Sequence, residues 1–337
     1  MAKRRISDQQ KRRIENLQQK RRVKAGQHRQ AKTEALSQQG LGPEQSGLVI
    51  TNYGQTLLIE DNQQQIYRCV ARQNLGAIVC GDRVIWQASG EQEGVVVALE
   101  ERRSLLQKPG FGGKLKPMAA NIDQIVIVSA VQPAPNAYLI DRYLVAAENL
   151  PATPIILLNK MDLLNDSNRD EVEQLIHSYR QIGYQVICAS KLDRQGFDDL
   201  MAALKTHTSI FVGLSGVGKS SVINQLMPEL DIRVGELSQA SGEGTHTTTS
   251  STLYHLPCGG NLIDSPGVRD FGLWNISADD ILHGFIELRE AMGHCKFSNC
   301  SHQQEPGCAI IQALQDNKIS EPRFASYQKI LNEYAGD

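Results

Sequence analysis

GLSGVGKS at 213–220 and NKMD at 159–162 are the two stretches that decide the fold, and they stand in an unusual order along the chain. The octapeptide fits G-x-x-x-x-G-K-[ST]. It follows the apolar run SIFVG (209–213) and opens a helical segment, the strand-loop-helix context in which such a loop wraps phosphates. Gly213, Gly216 and Gly218 let successive amides turn inward, Lys219 is expected to reach the β and γ oxygens and so to serve catalysis, and Ser220 to hold Mg²⁺. Leu214, Ser215, Val217 and Ser221 complete the expected contacts of this loop with a nucleotide.

NKMD closes the apolar run PIILLN (154–159). A carboxylate at the end of a strand can accept hydrogen bonds from guanine N1 and N2, which adenine cannot offer, so Asp162 is expected to select the base. Asn159 is expected to brace neighbouring loops and the stem of Lys160 to lie over the base, with Met161 in the same loop. Ala189, Ser190 and Lys191, at the end of the run QVICA (185–189), offer a backbone amide to guanine O6. DSPG (264–267) supplies Asp264 near Mg²⁺ and the Gly267 amide for the γ-phosphate, and GTHTTT (244–249) offers Thr247 or Thr248 to close on Mg²⁺. Val268 stands where Ras-like chains carry the Gln that orients water, which a valine cannot do.

In a Ras-like chain the phosphate loop comes first; here NKMD and ASK precede it. The same sheet survives if the chain is cut after the DxxG strand and the old ends are joined, because termini often lie close together. Apolar runs at 124–130, 154–159, 185–189 and 209–213 alternate with helical stretches near 137–149, 168–181, 197–206 and 219–227, the pattern of a parallel α/β sheet. Upstream, residues 46–100 read as five short strands separated by turn signals about every ten residues, which suggests an OB-type barrel. Residues 101–123, rich in Gly and Pro, read as a linker. DSPGVRDFGL (264–273) runs on toward the C-terminal segment, so nucleotide state is expected to bias that segment.

A chain of 337 residues with 41% apolar content is long enough for two or three domains, and it holds no apolar run of membrane length. Its start, MAKRRISDQQ, has no secretory apolar core, so a cytoplasmic location is expected. Charge is unevenly spread. Residues 1–32 hold twelve Lys or Arg against Asp8 and Glu15, leaving 23 basic and 35 acidic residues in the remainder, so an arm of +10 precedes a body of −12. Such an arm is expected to be disordered alone and to bind a polyanion, nucleic acid before others. The seven cysteines suggest thiols or metal ligands rather than disulfides. Cys295, Cys300, His302 and Cys308 give C-x₄-C-x-H-x₅-C, suited to one structural Zn²⁺, with His294 the poorer alternative to His302. Cys69, Cys80, Cys188 and Cys258 read as core thiols.

The permuted motif order, with a barrel before it and CKFSNCSHQQEPGC (295–308) after it, resembles the RsgA (YjeQ) family, bacterial GTPases of small ribosomal subunit biogenesis. The resemblance covers roughly residues 46–337. Behind the basic arm (1–45), which lies outside it, the resemblance implies a multi-domain α/β chain: an OB-fold RNA-binding domain (46–105), a circularly permuted GTPase domain (106–272) and a helical zinc-binding domain (273–337). It also implies GTP turnover stimulated by the small subunit, partners in that subunit, its rRNA and GTP or GDP, no membrane partner, and a monomer. His246 falls in the family's GxHTT pattern and is the candidate to position water in place of Val268.

Overall fold

Runs rich in Val, Ile and Leu prefer pleated, buried surfaces, and short turn signals between them force neighbouring antiparallel pairing. The computed structural model describes residues 40–110, 115–191, 194–229, 251–264, 273 and 276–334. It separates into two compact units, whose described residues are 40–101 in the first and those from 102 onward in the second.

In the first unit five strands form a barrel: β1 (Glu44–Asn52), β2 (Leu57–Glu60), β3 (Ile66–Ala71), β4 (Arg83–Ala88) and β5 (Glu93–Leu99). They pair in the order β1-β2-β3-β5-β4, and β4 returns to β1, so no edge remains. Only β3 and β5 run parallel. The five expected strands are all present. Trp86 fills the barrel core with Val49, Leu57, Ile59 and Val96, and glycines make room for it. A Cβ on Gly94 would lie 2.7 Å from Trp86 Cε3 and 2.8 Å from the Gln87 carbonyl; one on Gly47 would lie 2.5 Å from Ile59 Cγ2.

The second unit begins with a surprise: β6 (Leu105–Pro109) and β7 (Leu115–Ala120) pair antiparallel where the sequence reads as a linker. Pro109 ends β6, and Pro117 pairs with Gln107 at a register irregularity after Leu106, where a proline is tolerated in a strand. Leu106, Ala119 and Ala120 of the ribbon are buried.

Then comes the sheet that carries the site. Its parallel strands β8 (Gln124–Ala130), β9 (Thr153–Asn159), β10 (Gln185–Cys188), β11 (Thr208–Val212) and β13 (Asn261–Asp264) lie in the order β10-β9-β8-β11-β13, with β12 (Thr252–His255) antiparallel beside β13. Helices α1 (Ala137–Glu148), α2 (Arg169–Ile182), α3 (Arg194–Leu204) and α4 (Lys219–Leu226) alternate with the strands. Every residue of β8 is buried, as covering on both faces of a parallel sheet requires. The chain builds outward from β8 to β10, then returns to place β11 on the other side of β8. That reversal opens a crevice at the carboxyl ends of β8 and β11, the place where α/β sheets bind ligands. The C-terminal segment adds α5 (Ala278–His283), α6 (Ala309–Gln315) and α7 (Glu321–Tyr334) around a small aromatic core, with Phe285 and Tyr327 edge to face at 5.4 Å.

Candidate functional site

A cleft of about 800 Å³ opens at the strand reversal. The phosphate loop forms one wall: Gly213, Leu214, Ser215, Gly216, Gly218, Lys219, Ser220 and Ser221 all line it. Asn159, Lys160, Asp162 and Lys191, delivered by the ends of β9 and β10, form the other. Residues from both sequence motifs therefore share one cavity of the size that takes a small ligand.

The loop can take this path only with glycine at two places. Gly213 has φ 137°, and a Cβ there would fall 2.2 Å from the Val128 carbonyl oxygen of β8. Gly218 has φ 95°, and a Cβ there would fall 2.4 Å from Asn159 Nδ2. That approach lets Asn159 Nδ2 donate to the Val217 carbonyl at 3.0 Å, bracing the loop as the sequence suggested. Lys160, left-handed at φ 60°, donates through Nζ to the carbonyls of Gly216 at 2.6 Å and Gln132 at 2.7 Å. Lys219 Nζ donates to the carbonyls of Gly213 at 2.7 Å and Leu214 at 2.6 Å, which holds the ammonium within its own loop. Met161 N donates to the Ala189 carbonyl at 3.2 Å, joining the NKMD and ASK loops. Ala189, Ser190 and Val217 are buried behind the cavity wall. Asp264 ends β13, the strand beside β11.

His246, Thr247, Thr248, Gly267 and Val268, and nearly all of the basic arm, lie outside the described residues. Five further side chains line the cleft that no motif announced: Tyr143 from α1, Leu163 after Asp162, Phe197 from α3, and Val222 and Gln225 from α4.

In the C-terminal segment the four predicted ligands converge, with their ligand atoms all within 4.8 Å of one another. Cys295 Sγ lies 3.5 Å from His302 Nδ1 and 3.9 Å from Cys308 Sγ, and His302 Nδ1 lies 3.4 Å from Cys308 Sγ. Bonds of about 2.3 Å to sulfur and 2.0 Å to nitrogen at tetrahedral angles give edges of about 3.8 Å and 3.5 Å. The residues fit, so this cluster could hold one zinc ion; His294 is not part of it. Glu305 arranges the loop between the last two ligands by accepting from the Ser301 amide at 2.8 Å and those of Gln303 and Gln304 at 3.0 and 3.1 Å. The Ser301 hydroxyl, which also donates to it, lowers its carboxyl most, and with the Ser301 amide brings it to about 2.

A parallel sheet whose strand β11 delivers a phosphate loop, with the base-reading loop supplied by strands earlier in the chain, defines a circularly permuted P-loop GTPase. The family model for the RsgA GTPase matches residues 99–274, and the chain belongs to that family. It is a GTP hydrolase. The small ribosomal subunit biogenesis GTPase RsgA of Pseudomonas aeruginosa is 49% identical over 331 residues, covering 98% of each chain. The protein of the same name from Ectopseudomonas mendocina is 49% identical over 335 residues, again 98% of each. Among solved structures, YjeQ from Thermotoga maritima superposes with a TM-score of 0.73 at 30% identity, over 88% of this chain and 100% of that one. YloQ, described as a circularly permuted GTPase, gives 0.71 at 30% identity, over 87% of this chain and 95% of that one.

Proposed function

We propose that this GTPase binds the small ribosomal subunit and assists its late maturation, hydrolysing GTP to GDP and phosphate with stimulation by the subunit. What carries the reading is likeness across 98% of the chain to proteins named for that role. A cleft lined by both guanine-nucleotide motifs supports it.

Within that cleft Asp162 reads the guanine edge, Ser190 and its neighbours receive O6, and the loop from Gly213 to Ser221 wraps the phosphates. Lys219 leaves its carbonyl partners for the β and γ oxygens. Ser220, Thr247 or Thr248, and Asp264 would hold Mg²⁺, which would supply charge neutralisation for the departing γ-phosphoryl group. His246 or a group from the subunit positions the water. The barrel and the basic arm meet rRNA, the arm by counterion release. The zinc ion, closed by four protein ligands, is structural, and the protein works as a cytoplasmic monomer.

Cosedimentation with separated subunits, together with hydrolysis rates, tests this. The expected outcome is binding to the small subunit, tighter with a non-hydrolysable GTP analogue than with GDP, and slow hydrolysis that the small subunit accelerates. Binding only to the large subunit, or a rate unchanged by small subunits, overturns the proposal. Removing residues 1–32 should weaken binding equally in both nucleotide states and flatten its salt dependence.

A further inference from the structure

Helix α1 works on two faces. Tyr138, Asp141, Arg142, Val145 and Glu148 form one helical stripe, and each meets the C-terminal segment. Tyr138 Oη bonds Glu333, and Asp141 Oδ1 accepts from Arg323 Nη1 at 2.6 Å. Arg142 lies over the Tyr334 ring at 5.9 Å, and a Cβ on Gly284 would stand 2.7 Å from Val145 Cα. Glu148 Oε2 accepts from Arg289 Nη2 at 2.5 Å. Tyr143 follows Asp141 by two residues, about 200° around the helix, and so faces the other way. It lines the nucleotide cleft, and with Ile140 it lines a small recess against Leu214 and Val217 of the phosphate loop.

The stripe is a polar seam. Arg323, 4% exposed, is gripped by Asp141 and, at 2.7 and 3.0 Å, by both oxygens of Glu287, and it stacks 4.4 Å from the Phe285 ring centroid. Asp141 Oδ1 also accepts from Tyr179 Oη at 2.5 Å. Among the described residues five buried side-chain polar atoms have no hydrogen-bond partner, and Asp141 Oδ2 and Arg142 Nε, both on α1, are two of them. Buried charges without full pairing are sensitive to small displacements, because the low dielectric magnifies each ångström of separation.

We infer that Asp141 is a positioning residue for the nucleotide site: anchored to Arg323, it fixes α1 and thereby Tyr143 in the cleft, which couples the C-terminal helix to nucleotide binding. The inference rests on the cleft being the GTP site. Coupling of binding energies is reciprocal, so nucleotide must also steady α7.

Two variants separate this from general stability. Asp141→Asn and Glu287→Gln each remove one carboxylate charge from Arg323, but only Asp141 belongs to the helix that carries Tyr143. With zinc content and folding intact at the assay temperature, Asp141→Asn should weaken GDP binding about fivefold or more, and Glu287→Gln much less. Hydrogen exchange in residues 321–334 should slow when GDP binds the unaltered protein, and should no longer respond in Asp141→Asn. If Asp141→Asn does not fold, Arg323→Lys carries the same test, since a lysine keeps one charge but cannot bridge both carboxylates. Equal losses in the two carboxylate variants, wild-type affinity in Asp141→Asn or Arg323→Lys, or an α7 indifferent to GDP would overturn the inference. Failure of the unaltered protein to bind GDP would instead sink the assignment of the cleft.

Discussion

Asn159 Nδ2 meets the Val217 carbonyl at 3.0 Å, and Gly218 leaves that amide only the space of a hydrogen atom. The base-reading motif is thus pinned to the phosphate loop that follows it by more than fifty residues. Gly218→Ala should therefore do two kinds of damage. It forces a methyl toward Asn159 and places alanine at φ 95°, a strain of roughly 1–3 kcal/mol. Calorimetric titration with GDP is expected to show no binding in a variant whose circular dichroism is unchanged.

Selectivity for guanine is expected to rest on Asp162, which lines the cleft with its side chain accessible to a base. Asp162→Asn replaces an acceptor by a donor where guanine N1 and N2 arrive. GTP affinity should fall by at most a few kcal/mol, and xanthosine triphosphate, whose C2 oxygen accepts, should gain. Competition binding with the two nucleotides reads both shifts; unchanged GTP affinity would refute the role.

What could be read from the sequence follows how local each feature is. The phosphate loop and the four zinc ligands are contiguous signals with fixed spacing, and the residues converge as the spacing implied. The barrel strands were legible because each alternation is short and self-contained. The β6–β7 ribbon was not, since Pro109 and Pro117, which pair within its strands, give the same signal there as in a linker. Tyr143 and Arg323 had no signal at all. Arg323 meets Asp141 across 182 residues, and only the packing of α7 on α1 gives either side chain a meaning.

Overpacking should be costly in the barrel. Gly94→Ala would press a methyl on Trp86 and on the Gln87 backbone, which cannot swing away as a side chain end could. A loss of about 1–3 kcal/mol is expected, read as a lower urea midpoint for the barrel's unfolding. Wild-type stability would mean that the Trp86 ring shifts freely.

Zinc uptake should release protons. Burial, reinforced by the neighbouring thiols of Cys308 and Cys295, pushes Cys300 up to about 12 in the metal-free protein, so it is a neutral thiol at pH 7. Zinc takes the thiolate, and the displaced proton must enter solvent. His302 behaves oppositely: burial holds it below its ordinary value, so it is already the neutral ligand that zinc needs near neutrality. The sign follows. Raising pH favours binding by about 1.4 kcal/mol per unit for each proton displaced, and lowering it releases metal first through thiolate protonation, with His302 charging only at more acid pH. Titrating zinc into weakly buffered metal-free protein with a pH indicator should show at least one proton released per ion bound. Glu305→Ala removes the acceptor that gathers the Ser301, Gln303 and Gln304 amides, and should weaken zinc about ten- to a hundredfold without altering that proton count, because Glu305 shapes the loop and gives up no proton to the metal. A zinc titration that releases no proton would mean that Cys300 does not bind as a thiolate, and would remove it from the ligand set.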